Sequence, residues 1–415
     1  MASTTSSGDR TGEPPGNPSG IGTTSVTVSP ITAEGVAPAG PAPQRRTFSD
    51  RLPRPWLFPL LILAIDWILI VASWRASNAY YHQSHGWTYY FWYKDAGYYG
   101  DIARYWYSQR PGFHSVPSRA AFFPVYPALI WLASFLTGHN IAAAGLIATV
   151  VSGVAATIGV WLLTARISDR WVADRAVLLF AAFPGAMTLG MMYSEPLGIA
   201  LAAFCLLAAI NRRWLVAGLV AAVGTAEHPT LIALAGALGI MALREIWTRR
   251  DWRSLIAPVL APVGMLSFFA YVGSRYNGDF LFWQKLERRQ WGHHIDWGVH
   301  ELRLVTWSLP GLDKYGGYFA MVIALVVILI VGIVLMISAR VPLVVCAYTV
   351  ITFFSLVLTY GVGPTPRYAW AAIGIFPGFA AKLPRWLYWP TLILFAVVLF
   401  ILVAWWPHHP KAPPP

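Results

Sequence analysis

The stretch AFFPVYPALIWLASFL, Ala121 to Leu136, is apolar enough to suggest a membrane crossing, yet it carries two prolines, Pro124 and Pro127. Its reading decides the fold, because one extra crossing here would reverse the side on which every later loop falls. Of the 415 residues, 57% are hydrophobic and 12% charged, and the mean hydropathy is +0.54, well outside the balance of a soluble domain. Apolar runs separated by short charged loops have the length a helix needs to cross roughly 30 Å of hydrocarbon. An all-α polytopic membrane protein is expected.

Working outward from 121–136, candidate helices run over about 55–74, 140–164, 174–192, 196–211, 213–227, 229–243, 255–274, 317–338, 341–361, 368–382 and 387–406, about eleven in all. The formal charge of +12 belongs to topology rather than to nucleic-acid binding. With the N-terminus inside, beside Arg45, Arg46, Arg51 and Arg54, the inner loops collect Arg166, Arg170, Arg175, Arg212, Arg213, Arg244, Arg249, Arg250, Arg253, Arg340, Lys382 and Arg385, while the short outer turns hold Arg367. That bias requires that 121–136 not cross completely, so a re-entrant or juxtamembrane pair is expected, broken at its prolines.

Residues 1–48, rich in Gly, Pro, Ser and Thr, read as a disordered cytoplasmic tail. A transmembrane domain over 49–406 and a short Pro-rich tail over 407–415 follow. Cys205 and Cys346 lie in apolar runs without metal-ligand spacing and are expected to pack.

Two long loops, about 75–119 and 275–316, fall on the outer face and hold most of the polar chemistry. In YKDAGYYGDIA, residues 93–103, Asp95 and Asp101 sit among tyrosines. A loop carboxylate is ordinarily solvated or caps a helix. The aromatics fit an interfacial belt or a sugar-stacking surface. In MMYSEPLG, Glu195 precedes Pro196, where an acid suits the first turn of a helix as well as a site. TAEHPT puts Glu227 and His228 at an outer turn, where they could serve a site or pair with each other, and Asp66 falls near the middle of the first span, where a contact with a neighbouring helix is expected.

The second loop concentrates Arg288, Arg289, His293, His294, Asp296 and His300 with Trp291 and Trp297. Consecutive residues rarely converge on one ion, so no metal is expected. Arginines on an outer loop, and Arg367 in PTPRYAW, suit a phosphate-bearing lipid. No Walker loop, no dinucleotide fingerprint and no HExxH occur.

Taken in order, YKDAGYYGDIA, AFFPVYP, YSEPLGIALAAF, GDFLFWQ with QWG, and PRYAWAAIGIFP resemble the PIG-V type mannosyltransferases, relatives of the GPI second-mannose transferase, over about residues 55–385. AFFPVYP is the most specific piece. The resemblance implies a GT-C enzyme that takes a sugar, here mannose, from a polyprenyl-phosphate donor and transfers it to a glycolipid or other acceptor on the extracytoplasmic face. It implies Asp95 as the general base that deprotonates the acceptor. Lys94 stands where the family usually has Trp. Glu195 matches the acid of its YSE motif, and with Asp101 is a possible acid or acceptor contact. Arg367 matches the arginine of its late RY motif and implies a donor-phosphate contact, which His228 and Arg289 could share. His228 stands where relatives often carry Arg. Tyr93, Tyr98 and Trp291 are the stacking candidates. The implied co-substrate is the lipid-linked sugar, with no other cofactor. The rival reading is a transporter or flippase of lipid-linked sugars, which an inverted repeat with midplane ion sites would mark; no such repeat is evident.

Overall fold

The computed structural model describes residues 47–108, 116–299, 303, 312–360 and 365–409. All but the last two residues of the expected N-terminal tail, His300 and residues 410–415 lie outside that set. Helices α1 (Leu57–Tyr80), α2 (Trp87–Phe91), α3 (Ala96–Tyr105), α4 (Val116–Arg119) and α5 (Val125–Ser134) are followed by α6 (Ile141–Ile167) and α7 (Arg170–Ala182). Then come α8 (Glu195–Ile210), α9 (Trp214–Thr225), α10 (Ala233–Arg249), α11 (Ile256–Leu260), α12 (Val263–Arg275) and α13 (Phe282–Gln290). The last part holds α14 (Leu312–Ser338), α15 (Leu343–Val357), α16 (Pro366–Trp370), α17 (Ile375–Lys382) and α18 (Arg385–Trp405).

Among the described residues six helical stretches are long and apolar enough to cross a membrane, or seven if the bent pair Arg170–Ala182 and Pro184–Gly190 is one span. Four more apolar helices are shorter, among them Val125–Thr137. The 27-residue α6 is the hub, packing against α1, α5, α7 and α8. Ala144, Ala148 and Ala156 on it are fully buried, and such small side chains let helices approach closely where apolar burial alone gives little drive. Helices α1 and α18 run parallel: the hydroxyls of Ser73 and Ser77 donate to the carbonyls of Phe400 and Ala404. The 24 residues of α1 rise about 36 Å at 1.5 Å per residue, so the two ends of the molecule are chemically separate.

At one end the arginine-bearing loops meet. The backbone N–H of Ser49 donates to Asp174, whose other oxygen accepts from the Trp161 indole, and Arg170 pairs with Asp50. Arg166 donates to Asn211 and Arg175 to the carbonyl of Leu383. The loops expected to share a side therefore do cluster.

Three expectations change in detail. The helix expected over 174–192 is bent by 74° after Ala182, because Phe183 precedes Pro184 and takes the extended conformation that a following proline favours. The helix expected over 368–382 is two pieces, α16 and α17. In 121–136, Pro124 is the N-cap of α5 and Pro127 lies in its first turn, positions that tolerate the missing N–H, so the prolines start this helix rather than break it. The helix has ten residues, far short of a span; it exposes Trp131 and Leu132, and the turn after it exposes Phe135 and Leu136.

Candidate active site

The first long loop folds into helices that meet the bent segment after α7, where the Tyr90 hydroxyl donates to the Met187 carbonyl. Lys94, just before Asp95, has φ of 50°, a left-handed conformation costly for a side chain with a Cβ. Asp95 occupies the N-cap position of α3 but makes no capping bond. Instead its Oδ2 accepts from Nη1 of Arg367 at 2.7 Å, across 272 residues of sequence. The usual reading of such an acid, as a helix cap, therefore fails here.

Arg367 sits on α16, which Thr365 and Pro366 start. That short helix lies directly on the bent segment: a Cβ on Gly185 would meet the Pro366 carbonyl oxygen at 2.3 Å, so only glycine permits the approach. The Trp370 indole donates to the Phe180 carbonyl and its ring stacks on Phe180 at 4.5 Å. Thus anchored, Arg367 keeps 8% of its side chain exposed and bridges two acids, since Nη1 also lies 3.3 Å from Oε1 of Glu195. Nη2 donates to the Tyr368 hydroxyl at 2.9 Å, and the rings of Tyr368 and Tyr193 lie 4.6 and 5.4 Å from the guanidinium carbon, within cation–π range.

Glu195 begins α8, as an acid in a first turn would, yet its Oε1 serves Arg367. Glu227 is buried behind it, its Oε2 filling the space left by Gly198. Burial, and then the charge of Glu195, push the Glu227 carboxyl well above its ordinary range. His228 does not pair with Glu227. Its Nδ1 accepts from the Thr230 backbone N–H at 3.3 Å and lies 2.8 Å from the Thr230 hydroxyl, while its ring faces Tyr368 at 5.7 Å. Burial, followed by the charge of Arg367, pushes the imidazole down to about 3. Nδ1 is therefore an acceptor and the neutral ring carries its hydrogen on Nε2, which makes His228 an uncharged N–H donor.

Opposite stands α13. His293 Nδ1 lies 2.7 Å from Glu287. Burial pushes the Glu287 carboxyl up, His293 opposes that, and the charge of Asp95 adds to it. Lys94 is half-buried; burial pulls its ammonium down, and the charges of Asp95 and Arg367 act on it in opposite directions. The rim is aromatic. Tyr98 stacks on Phe122 at 4.4 Å, and Trp291 lies edge-on to Tyr98 and Phe122 at 6.4 and 6.1 Å.

The AFFPVYP motif joins these parts. Phe122 supports Tyr98, and Tyr126 meets Tyr99 edge-on at 5.2 Å. The Tyr99 hydroxyl bonds Ser194, next to Glu195, at 2.8 Å. On the other side the Trp283 indole of α13 donates to the Ala121 carbonyl, and Phe123 meets the Trp283 ring.

Asp95, Glu195, Arg367 and His228 thus come together, with Tyr98 and Trp291 at the rim. Three candidates go elsewhere. Asp101 is buried within α3 and is not one of the acids on Arg367. Arg289 is exposed, with its charge felt at Asp279. Tyr93 is buried and its hydroxyl donates to the Trp406 carbonyl, so it ties the first loop to the end of α18 rather than offering a stacking face. Asp66 is buried in α1, where neither carboxylate oxygen takes a hydrogen bond from the described residues. Sequence reasoning missed Lys94, Tyr193, Tyr368, Glu287 and His293 as members of the cluster. Tyr193 and Tyr368 stand inside the YSE and RYAW motifs, and that placement was the available signal. Among the described residues no group of three or more His, Cys, Asp or Glu could hold a metal ion.

No family model matches the chain and no curated protein matches it. Solved structures do. ArnT from Cupriavidus metallidurans bound to undecaprenyl phosphate aligns with a TM-score of 0.50 at 17% identity, over 82% of this chain and 63% of that one. The fold is GT-C-like. The apo state of the same ArnT gives 0.51 at 16% identity, over 82% and 62%. The Archaeoglobus fulgidus oligosaccharyltransferase in apo form gives 0.43 at 14% identity, over 86% and 57%. The chain thus spans less than two thirds of the length of the ArnT structures that share its GT-C-like fold.

Proposed function

We propose that this chain is an integral-membrane glycosyltransferase, moving a sugar from a polyprenyl-phosphate donor to a hydroxyl of a glycolipid or other acceptor on the extracytoplasmic face. Mannose is the sugar that the motif resemblance to PIG-V type enzymes suggests. The observation that carries the proposal is the arrangement around Asp95. Its Oδ2 is fixed by a buried arginine while Oδ1 makes no bond with the described residues, and the side chain is 15% exposed. An acceptor hydroxyl would donate to Oδ1, its oxygen would attack the anomeric carbon, and Asp95 would take the proton. The bond between that carbon and the phosphate oxygen breaks in the same step, with inversion. The departing lipid phosphate gains charge, and the N–H donors of His228, Arg367 and Lys94 are the groups at hand to receive it. The Tyr98–Phe122–Trp291 wall supplies ring faces and edges for a sugar.

ArnT, whose fold this chain shares, is seen with undecaprenyl phosphate, which supports a polyprenyl-phosphate donor. The test is to incubate purified protein in lipid nanodiscs with radiolabelled polyprenyl-phosphate mannose and a membrane lipid extract. Label should pass covalently to a new lipid or glycan species. Donor that is bound, or moved across vesicle membranes, with no transferred label in any fraction would overturn the enzyme reading in favour of transport.

A further inference from the structure

At the arginine-rich end, away from Asp95, a cavity of about 570 Å³ opens between α7, the end of α17 and the start of α18. That volume is within the range of small-molecule sites, roughly 300–1,000 Å³. Its lining includes Trp171 and Arg175 from α7, Lys382 from α17 and Arg385 from α18. Arg175 is buried and held in place: its Nη2 donates to the Leu383 carbonyl at 2.8 Å, and its guanidinium carbon lies 4.3 Å from the Trp171 ring and 3.9 Å from the Tyr388 ring. The Tyr388 hydroxyl donates back to the Arg175 carbonyl. Lys382 and Arg385 are exposed at the rim, and no carboxylate among the described residues pairs with either. Three cations thus converge on one cavity, one of them rigid and two extended.

Two further features set the depth of the cavity. The apolar 24-residue stretch Arg385–His408 is long enough to cross a membrane, and Arg385 is its first residue, so the cavity lies where a span leaves the bilayer. Trp386 and Trp389 on its first turns are exposed, as residues at the headgroup level are. Basic pockets between spans at this depth match the headgroups of anionic lipids, and arginine suits phosphate through its planar fork of donors.

We infer that this cavity binds the phosphate of an anionic phospholipid headgroup, at a site separate from the proposed transfer centre. Binding here needs no chemistry at Asp95 and stands whether or not the chain transfers sugar.

The experiment uses the full chain in detergent, with native mass spectrometry to count retained lipid after addition of phosphatidylglycerol or phosphatidylcholine. Wild type should retain phosphatidylglycerol preferentially. The double variant Lys382→Gln, Arg385→Gln should weaken that retention about tenfold or more, since it removes two of the three cations that line the cavity. A control, Arg244→Gln with Arg253→Gln, removes the same charge from exposed residues that do not line the cavity and should change retention less than twofold. Equal loss in the two double variants, or equal retention of both lipids by wild type, would overturn the site. Displacement by millimolar inorganic phosphate would assign the cavity to free phosphate and overturn the lipid source. Lys382→Gln alone, a single change at an exposed residue, guards against misfolding and should show a smaller loss of the same kind.

Discussion

Each end of the molecule has an arginine that bridges two carboxylates. Nη2 of Arg212 lies 3.0 Å from Oε2 of Glu245 and 3.0 Å from Oδ2 of Asp251. Nη1 of Arg367 lies 2.7 Å from Asp95 and 3.3 Å from Glu195. The difference is solvent, since Oε2 of Glu245, like Oε2 of Glu195, has no hydrogen bond among the described residues. Arg212 is 40% exposed and Asp251 has a further donor in the Trp214 indole, so that cluster fastens loops together. Arg367 is 8% exposed, and around it Oε2 of Glu195 accepts no hydrogen bond from, and its own Nε donates none to, the described residues. A buried charge group with unused bonds is costly to build for stability alone, and it is the arrangement expected where a ligand completes the bonding.

That contrast can be broken by removing the two arginines in turn. Arg367→Ala leaves two acids without their cation in a buried place and should cost about 3–5 kcal/mol of stability. Arg212→Ala should cost no more than about 1 kcal/mol, as exposed pairs do. Chemical denaturation in detergent compares them; similar losses would mean that burial does not separate the two ends.

Removing one carboxylate sharpens the comparison on the side of activity. Asp95→Asn should lower sugar transfer by about a hundredfold or more, the effect of losing a positioned base, with donor binding retained. Asp101→Asn and Asp251→Asn should cost far less, because neither carboxylate touches Arg367. If Asp95→Asn turns over normally while Glu195→Gln does not, the base is Glu195.

A smaller effect is expected at the rim. Trp291→Leu should raise KM for the sugar-bearing substrate by about two- to tenfold, equivalent to the 0.5–1.5 kcal/mol of an aromatic contact, with kcat little changed. A fall in kcat at constant KM would place the ring away from the bound sugar.

The smallest concerns protonation. His228 is held neutral in the fold, pushed down to about 3 from 6.5, so the unfolded chain binds the extra proton first. Its contribution to stability is complete above about pH 6.5 and is lost progressively as pH falls from there toward 3. Melting temperatures at pH 7.5 and 5.0 should therefore drop more in wild type than in His228→Gln. An equal drop would show that His228 titrates normally.

Much of the helical frame was legible because apolar runs of span length have few other uses. The cluster was legible one residue at a time, as Asp95, Glu195, His228 and Arg367, because each is a charged or polar interruption in a quoted motif. Their convergence was not legible, since it depends on the bend after Ala182. Glu287 and His293 escaped for another reason: the second loop is uniformly polar, and nothing in its composition distinguishes the pair that turns inward from Arg289, which turns out. The tyrosines misled in a similar way. Tyr93 and Tyr98 read alike in sequence, but one hydroxyl reaches the Trp406 carbonyl and the other ring lies on Phe122.

Gly185 bears on how the site could adapt to another substrate. The main chain of Pro366 rests against it with no side chain between, so on that flank the seat of α16, and with it the backbone position of Arg367, is set by backbone contact. A methyl group added at Gly185 would displace Arg367 bodily while touching no substrate. Selection for a bulkier or smaller sugar therefore has only the opposite flank to work on, where Phe122, Tyr98 and Trp291 are side chains that can be exchanged one for another in size.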